Sequence, residues 1–139
     1  MKTKNFFLIY FTIWALSISC DDCDDCKDLQ TKTVAVEDEF GNDLLFGSTA
    51  AYQPEEITVT AGGETQPVFV NAFVSAVEFS LVEGVTEYRI NLNENTSVIL
   101  NFDLDERDSD RCCGTQIYST ATTLNGNQVE NTNIIRIVL

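Results

Sequence analysis

The chain has 139 residues, which sets the expectation of one domain. Eight lysines and arginines stand against 22 aspartates and glutamates, a formal net charge of −14. Such a surface repels nucleic acid and anionic lipid head groups, and the lack of any histidine removes Ser-His-Asp and Cys-His nucleophiles, imidazole bases and His-ligated zinc or copper from the chain acting alone.

In chain order, residues 1–19 read as a secretory leader. Lys2 and Lys4 form a positive start, and FFLIYFTIWALSI, from Phe6 to Ile18, is apolar apart from Tyr10, Thr12 and Ser17. That run is short of the ~20 residues needed to span a ~30 Å hydrocarbon core, but it fits the apolar centre of a signal peptide. Ser17 and Ser19 are small residues that place a cut before Cys20. Loss of the leader removes two lysines and no acid, so the remaining chain is more acidic still.

The stretch LSISCDDCDDCKD resembles the secreted lipoproteins of the Bacteroidota, in which a lipid-bearing cysteine is followed by an acidic run that directs export to the outer face of the outer membrane. The resemblance gives Cys20 the lipid and makes Asp21, Asp22, Asp24 and Asp25 the export signal. The usual lipobox has Leu three residues before the cysteine, where this chain has Ser17, so simple secretion is the competing reading. Several acyl chains on Cys20 would give stable attachment, since each buried methylene contributes about 0.8 kcal/mol. The implied location is the outer membrane, facing the cell exterior. Residues 20–30, rich in Asp and poor in apolar side chains, are expected to form a solvated tether.

Residues 31–139 are expected to fold as one all-β domain. Three stretches alternate with period two: EEITVTA with Ile57 and Val59, EYRINLN with Tyr88, Ile90 and Leu92, and SVILNFDLD with Val98, Leu100, Phe102 and Leu104. PVFVNAFVSAVEFSLVEG is apolar on both faces and too long for one strand of about 5–6 residues. It reads as two strands, or one broken by a bulge between Asn71 and Ser75, lying centrally between layers. Pro54 in YQPEE marks a turn, and Asn125-Gly126 marks a hairpin between TQIYSTATTL and NIIRIVL. About seven to nine short strands punctuated by turns indicate an antiparallel, immunoglobulin-like β-sandwich, with a small β-barrel as the alternative. A weaker resemblance covers this body: small β-rich Bacteroidota lipoproteins often carry a late Cys-Cys pair, as Cys112-Cys113 here, and that family implies no activity.

With Cys20 lipidated, Cys23, Cys26, Cys112 and Cys113 remain. Export to an oxidising compartment suits disulfides, and more than one connectivity is open. Pairing a tether cysteine with Cys112 or Cys113 closes a long loop, with about 2–4 kcal/mol for each bridge. Free or intermolecular thiols are a second possibility. A four-cysteine zinc site fits poorly with adjacent cysteines, and redox work by CDDC fits poorly with aspartates that hold thiol pKa values up.

Asp103, Asp105, Glu106, Asp108 and Asp110 crowd one strand end and the loop after it. Carboxylates converging from a loop suit Ca²⁺, but the run lacks the mid-loop Gly and closing Glu of an EF-hand. The plainer reading is a solvated acidic loop, partly neutralised by Arg107 and Arg111. Paired acids also raise glycoside hydrolysis, yet a small sandwich has little room for a deep cleft besides its core. Without Trp after the leader, and with Tyr88 and most phenylalanines on core-facing positions, the platform for stacking sugars is thin. The expected function is therefore a non-catalytic binding or accessory module, without an assigned cofactor, acting on a protein or glycan partner. A secreted or periplasmic calcium-dependent binding domain is the alternative.

Overall fold

Alternation of apolar and polar side chains builds the larger of two sheets. In the computed structural model, which describes residues 30–109 and 114–139, β6 (Glu87–Asn91) and β7 (Ser97–Ser109) are antiparallel, with Tyr88 opposite Leu100 and Ile90 opposite Val98. All four side chains are buried. β2 (Thr58–Ala61) and β3 (Glu64–Gln66) extend this sheet on one side, β8 (Gly114–Leu124) and β9 (Asn127–Val129) on the other, in the order β3-β2-β6-β7-β8-β9. Asn125 and Gly126, with φ of 49° and 83°, form the two-residue turn from β8 to β9, the geometry an Asn-Gly pair favours, but the strand returned is NQV and not the expected NIIRIVL, which lies in the other sheet. The Asn125 side-chain oxygen accepts the Ile99 N–H at 2.9 Å, tying this turn to β7.

The second sheet has the order β10-β1-β5-β4, from β1 (Thr31–Glu37), β4 (Phe69–Asn71), β5 (Ala76–Ser80) and β10 (Ile134–Val138). Val34 and Val36, Val77 and Phe79, and Ile135 and Ile137 face the larger sheet and are fully or almost fully buried. The rings of Phe79, Tyr88 and Phe102 meet between the sheets, with centroids 5.3 to 6.4 Å apart. The Tyr88 hydroxyl satisfies its polar end by accepting the Val82 N–H at 2.6 Å.

The architecture is the expected all-β sandwich, and its two sheets do not close into a barrel. Three details differ. Ten strands are present among the described residues, because the turns carve out three-residue strands at β3, β4 and β9. The sandwich is not wholly antiparallel: β1 runs parallel to β10, from Thr33 opposite Ile134 to Glu37 opposite Val138. The apolar run from Pro67 does divide into two strands, with Ser75 at φ 52° in the turn between them. Only β5 is central, however, while β4 is an edge strand with Phe69 and Val70 exposed.

The connection from β1 to β2, residues 38–57, contains two short 3-10 turns and lies against the core through Leu44, Leu45, Phe46 and Tyr52. Its loop start is closed by Asp38, whose carboxylate accepts the N–H groups of Phe40 and Asn42 and the Asn42 side-chain amide. These bonds, first that from the Asn42 side chain, hold the Asp38 carboxyl below its usual range.

Leu100, fully buried at the centre of the larger sheet, is a direct test of this core. Leu100→Ala is expected to lower unfolding stability by about 2–5 kcal/mol in urea titration, whereas Phe73→Ser, on the exposed turn, is expected to change it by less than about 0.5 kcal/mol.

Candidate interaction surface

Apolar side chains that the core leaves outside are not scattered. The large hydrophobic residues exposed among those described are Phe40, Phe69, Val70, Phe73, Val74, Ile134, Val138 and Leu139. Each lies on a strand of the four-stranded sheet, in its β4–β5 turn, or just beyond the end of β1 or β10. Phe69 is 64 % exposed, and Phe73 stands fully in solvent. The expectation that most phenylalanines face the core is thus corrected: Phe79 and Phe102 do, Phe46 is half-buried, and Phe40, Phe69 and Phe73 face out. A run apolar on both faces must expose one set of side chains when its first strand ends up at a sheet edge.

Charge follows the same division. The strands of the smaller sheet carry Lys32 and Arg136 against Glu37 and Glu78, and with Lys32 turned into the core their outward side holds Arg136 and the two carboxylates. The larger sheet sets Glu64, Glu87, Asp103, Asp105, Glu106 and Asp108 against Arg89 and Arg107 alone. One sheet is strongly acidic, and the other is nearly neutral and apolar. On the nearly neutral sheet Arg136 forms an ion pair with Glu37, and the Asn71 side-chain amide donates to Glu78 at 2.7 Å.

The acidic run is placed differently from expectation. Asp103 and Asp105 lie on β7 as expected, and the strand continues through Ser109, so Glu106 and Asp108 sit along it and not in a loop after it. The Asp105 carboxylate accepts the Glu106 N–H at 2.8 Å and the Tyr118 hydroxyl at 3.3 Å, while Asp108 accepts the Thr115 hydroxyl at 2.9 Å. Consecutive strand residues point to opposite faces, so Asp105 and Asp108 diverge. No three metal-ligating side chains gather among the described residues. Arg107 forms no ion pair with the described carboxylates. Asp110 and Arg111 lie outside the described residues, as do Cys20, Asp21, Asp22, Cys23, Asp24, Asp25, Cys26, Cys112 and Cys113.

A polar niche that the sequence reading passed over closes the sandwich beside β8. Between Asp103 opposite Ala121 and Leu104 opposite Ser119, the pairing skips Thr120, a bulge in β8. The bulge turns both Ser119 and Thr122 toward the other sheet, and their hydroxyls donate to the Asn131 side-chain oxygen at 2.7 and 2.8 Å. The Asn131 amide returns a bond to the Ser119 carbonyl at 2.8 Å. Nearby, Lys32 is only 3 % exposed. Its ammonium donates to the Thr132 carbonyl at 3.2 Å and stands 5.9 Å from the Phe102 ring centroid. Burial pushes the Lys32 pKa down. The signal was in the sequence: in TKTVAVE, Lys32 has the same parity as Val34 and Val36 and must face inward with them.

Among the grooves lined by the described residues are these two. One, of about 530 Å³, runs along Val129, Glu130, Thr132 and Asn133 to Ile134, Ile135 and Arg136. The other, of about 420 Å³, lies between the β2–β3 turn and the start of β6 and includes Gly62, Gly84, Glu87 and Arg89. Each contains a single carboxylate, Glu130 or Glu87. Compared with protein-family models, curated protein sequences and solved structures, the chain gives no match.

The lowered Lys32 pKa has a defined sign. Between the folded value and the usual 10.5 the unfolded chain binds the extra proton, so stability gains from Lys32 as pH rises through that interval. In urea titrations from about pH 7 to about pH 10, the stability of the wild type relative to Lys32→Met is expected to increase with pH. For the carboxylates on β7, thermal melting in millimolar Ca²⁺ is expected to give the same midpoint as melting in chelator, since a bound ion would raise it.

Proposed function

We propose that this chain is a lipid-anchored surface protein of the outer membrane that works as a non-catalytic binding or accessory module. The leader, a cysteine at the expected cut and the aspartates that follow support the anchoring. The observation that carries the binding role is that every exposed large hydrophobic residue among those described lies on a strand of the four-stranded sheet, in its β4–β5 turn, or just past the end of β1 or β10, in a strongly acidic chain. Solitary apolar residues on a surface are ordinary, but a set confined to one sheet and its turns marks a surface that meets a partner. Glycoside hydrolysis needs two carboxylates flanking a sugar, and the two grooves offer one each. A protein partner suits the phenylalanines, valines and isoleucine of this surface better than a glycan, which calls for aromatic faces combined with many hydrogen-bonding groups.

In cells fed labelled palmitate, the wild type is expected to take up label and Cys20→Ala to take up none. An unlabelled wild type would overturn the anchoring. Protease treatment of intact cells is expected to degrade the wild type and to spare the protein in which Asp21, Asp22, Asp24 and Asp25 are changed to Ala. Equal degradation of both would remove the aspartates from export.

A further inference from the structure

The four sheet edges are unequal. β3, β4 and β9 are each three residues long, and β4 is preceded closely by Pro67. Short strands and proline are the usual means by which an edge is kept from pairing with another chain. β10 has neither. It is five residues long, IIRIV, with three isoleucines and a valine, residues that favour extended structure. Among the described residues, no strand pairs with its outer side.

Backbone parity shows what that side offers. The Thr33 N–H donates to the Asn133 carbonyl at 2.8 Å and the Leu139 N–H donates to the Glu37 carbonyl at 3.0 Å. These two bonds bracket the parallel ladder, so the backbone groups of Ile135 and Ile137 turn toward β1. Those of Ile134, Arg136 and Val138 turn outward. The same three residues have exposed side chains, and the groove of about 530 Å³ runs beside the first half of the strand with no lining residue from β1.

We propose that the outer edge of β10 accepts an extended segment of another protein, one with an acidic residue flanked two positions away on each side by apolar residues. The outward backbone groups of Ile134, Arg136 and Val138 form the new ladder, the Ile134 carbonyl using its second lone pair because the Thr132 hydroxyl already donates to it at 2.5 Å; Ile134 and Val138 pack against the flanking apolar side chains, and Arg136 faces the acid. Arg136 has the donors for this: its side chain is 64 % exposed, and the ion pair with Glu37 occupies one of its two terminal nitrogens. A second copy of the chain fits less well. The antiparallel register that pairs all five β10 residues with their counterparts sets Arg136 against Arg136, and like charges directly opposite are destabilising. Slipping the register by two residues relieves this but leaves three residues paired. The inference rests on the reading of the chain as a binding module and is independent of its anchoring.

The test uses a fluorescent synthetic peptide with aspartate between two valines at the required spacing and threonine at the intervening positions. Two controls accompany it, one with lysine for aspartate and one N-methylated along the pairing edge. Anisotropy titration of the purified protein is expected to show the aspartate peptide binding about tenfold or more tightly than the lysine peptide, a difference of about 1.4 kcal/mol, with no binding of the N-methylated form. Arg136→Gln is expected to abolish the preference and Arg136→Glu to reverse it, with thermal melting confirming that both variants fold. Equal affinity for the aspartate and lysine peptides would overturn the charge selection, and binding of the N-methylated peptide would overturn strand addition. Failure of all three peptides in a protein whose Cys20 takes up palmitate would remove the β10 edge while leaving the anchored module standing. Sedimentation showing a dimer that the aspartate peptide dissociates would assign the edge to a second copy instead.

Discussion

β1 joins residues from the two ends of the described chain, and the rest of the sandwich is arranged around that joint. It lies between β5, which it meets in antiparallel register, and β10, which it meets in parallel. Parallel neighbours cannot be linked by a hairpin, and the β1–β10 ladder closes a loop of about a hundred residues. A strand so placed has neighbours on both sides, and five of its seven residues are buried. Its inward side chains are then dictated by parity. Val34 and Val36 complete the apolar core, and Lys32, two residues earlier, is carried in with them.

The lysine therefore shapes what surrounds it. An ammonium group taken from water needs acceptors or a polarisable surface. Here the Thr132 carbonyl and the Phe102 ring provide them, and the bulge at Thr120 brings two hydroxyls to Asn131 in the residue just before. The connection from β9 to β10 is held from both sides, by Asn131 toward β8 and by Thr132 and Asn133 toward β1. Fixing that connection fixes where β10 starts, which side of it faces β1 and which side faces out.

Much of the core was legible in period-two alternation because it depends on local parity alone. Val98, Leu100 and Phe102 turn inward as their spacing requires, and Asn125-Gly126 turns where its backbone preference requires. The same parity carries the strand through Asp103, Leu104 and Asp105 as expected, but the density of acids from Glu106 onward suggested a loop where β7 in fact continues to Ser109. What alternation cannot convey is the neighbour. Nothing local in TKTVAVE or IIRIV announces that they lie side by side in parallel, nor that Phe69 lies at an edge while Phe79 lies at the centre. The exposed sheet and the β10 edge depend on sheet order, and sheet order is set by contacts between residues far apart in sequence.

An unprotected apolar edge in an isolated chain invites self-pairing, and the composition of this chain opposes it. Two copies approaching each other bring two large negative charges together, and at β10 itself they bring arginine to arginine. A partner strand that carries an acid avoids the arginine-to-arginine contact, because the residue it faces is Arg136 on the less acidic of the two sheets. Long-range repulsion between acidic bodies and short-range attraction at one arginine thus select for a limited segment presented by a less acidic partner. The acidity of the chain, which opposes self-pairing, keeps the β10 edge open for that segment.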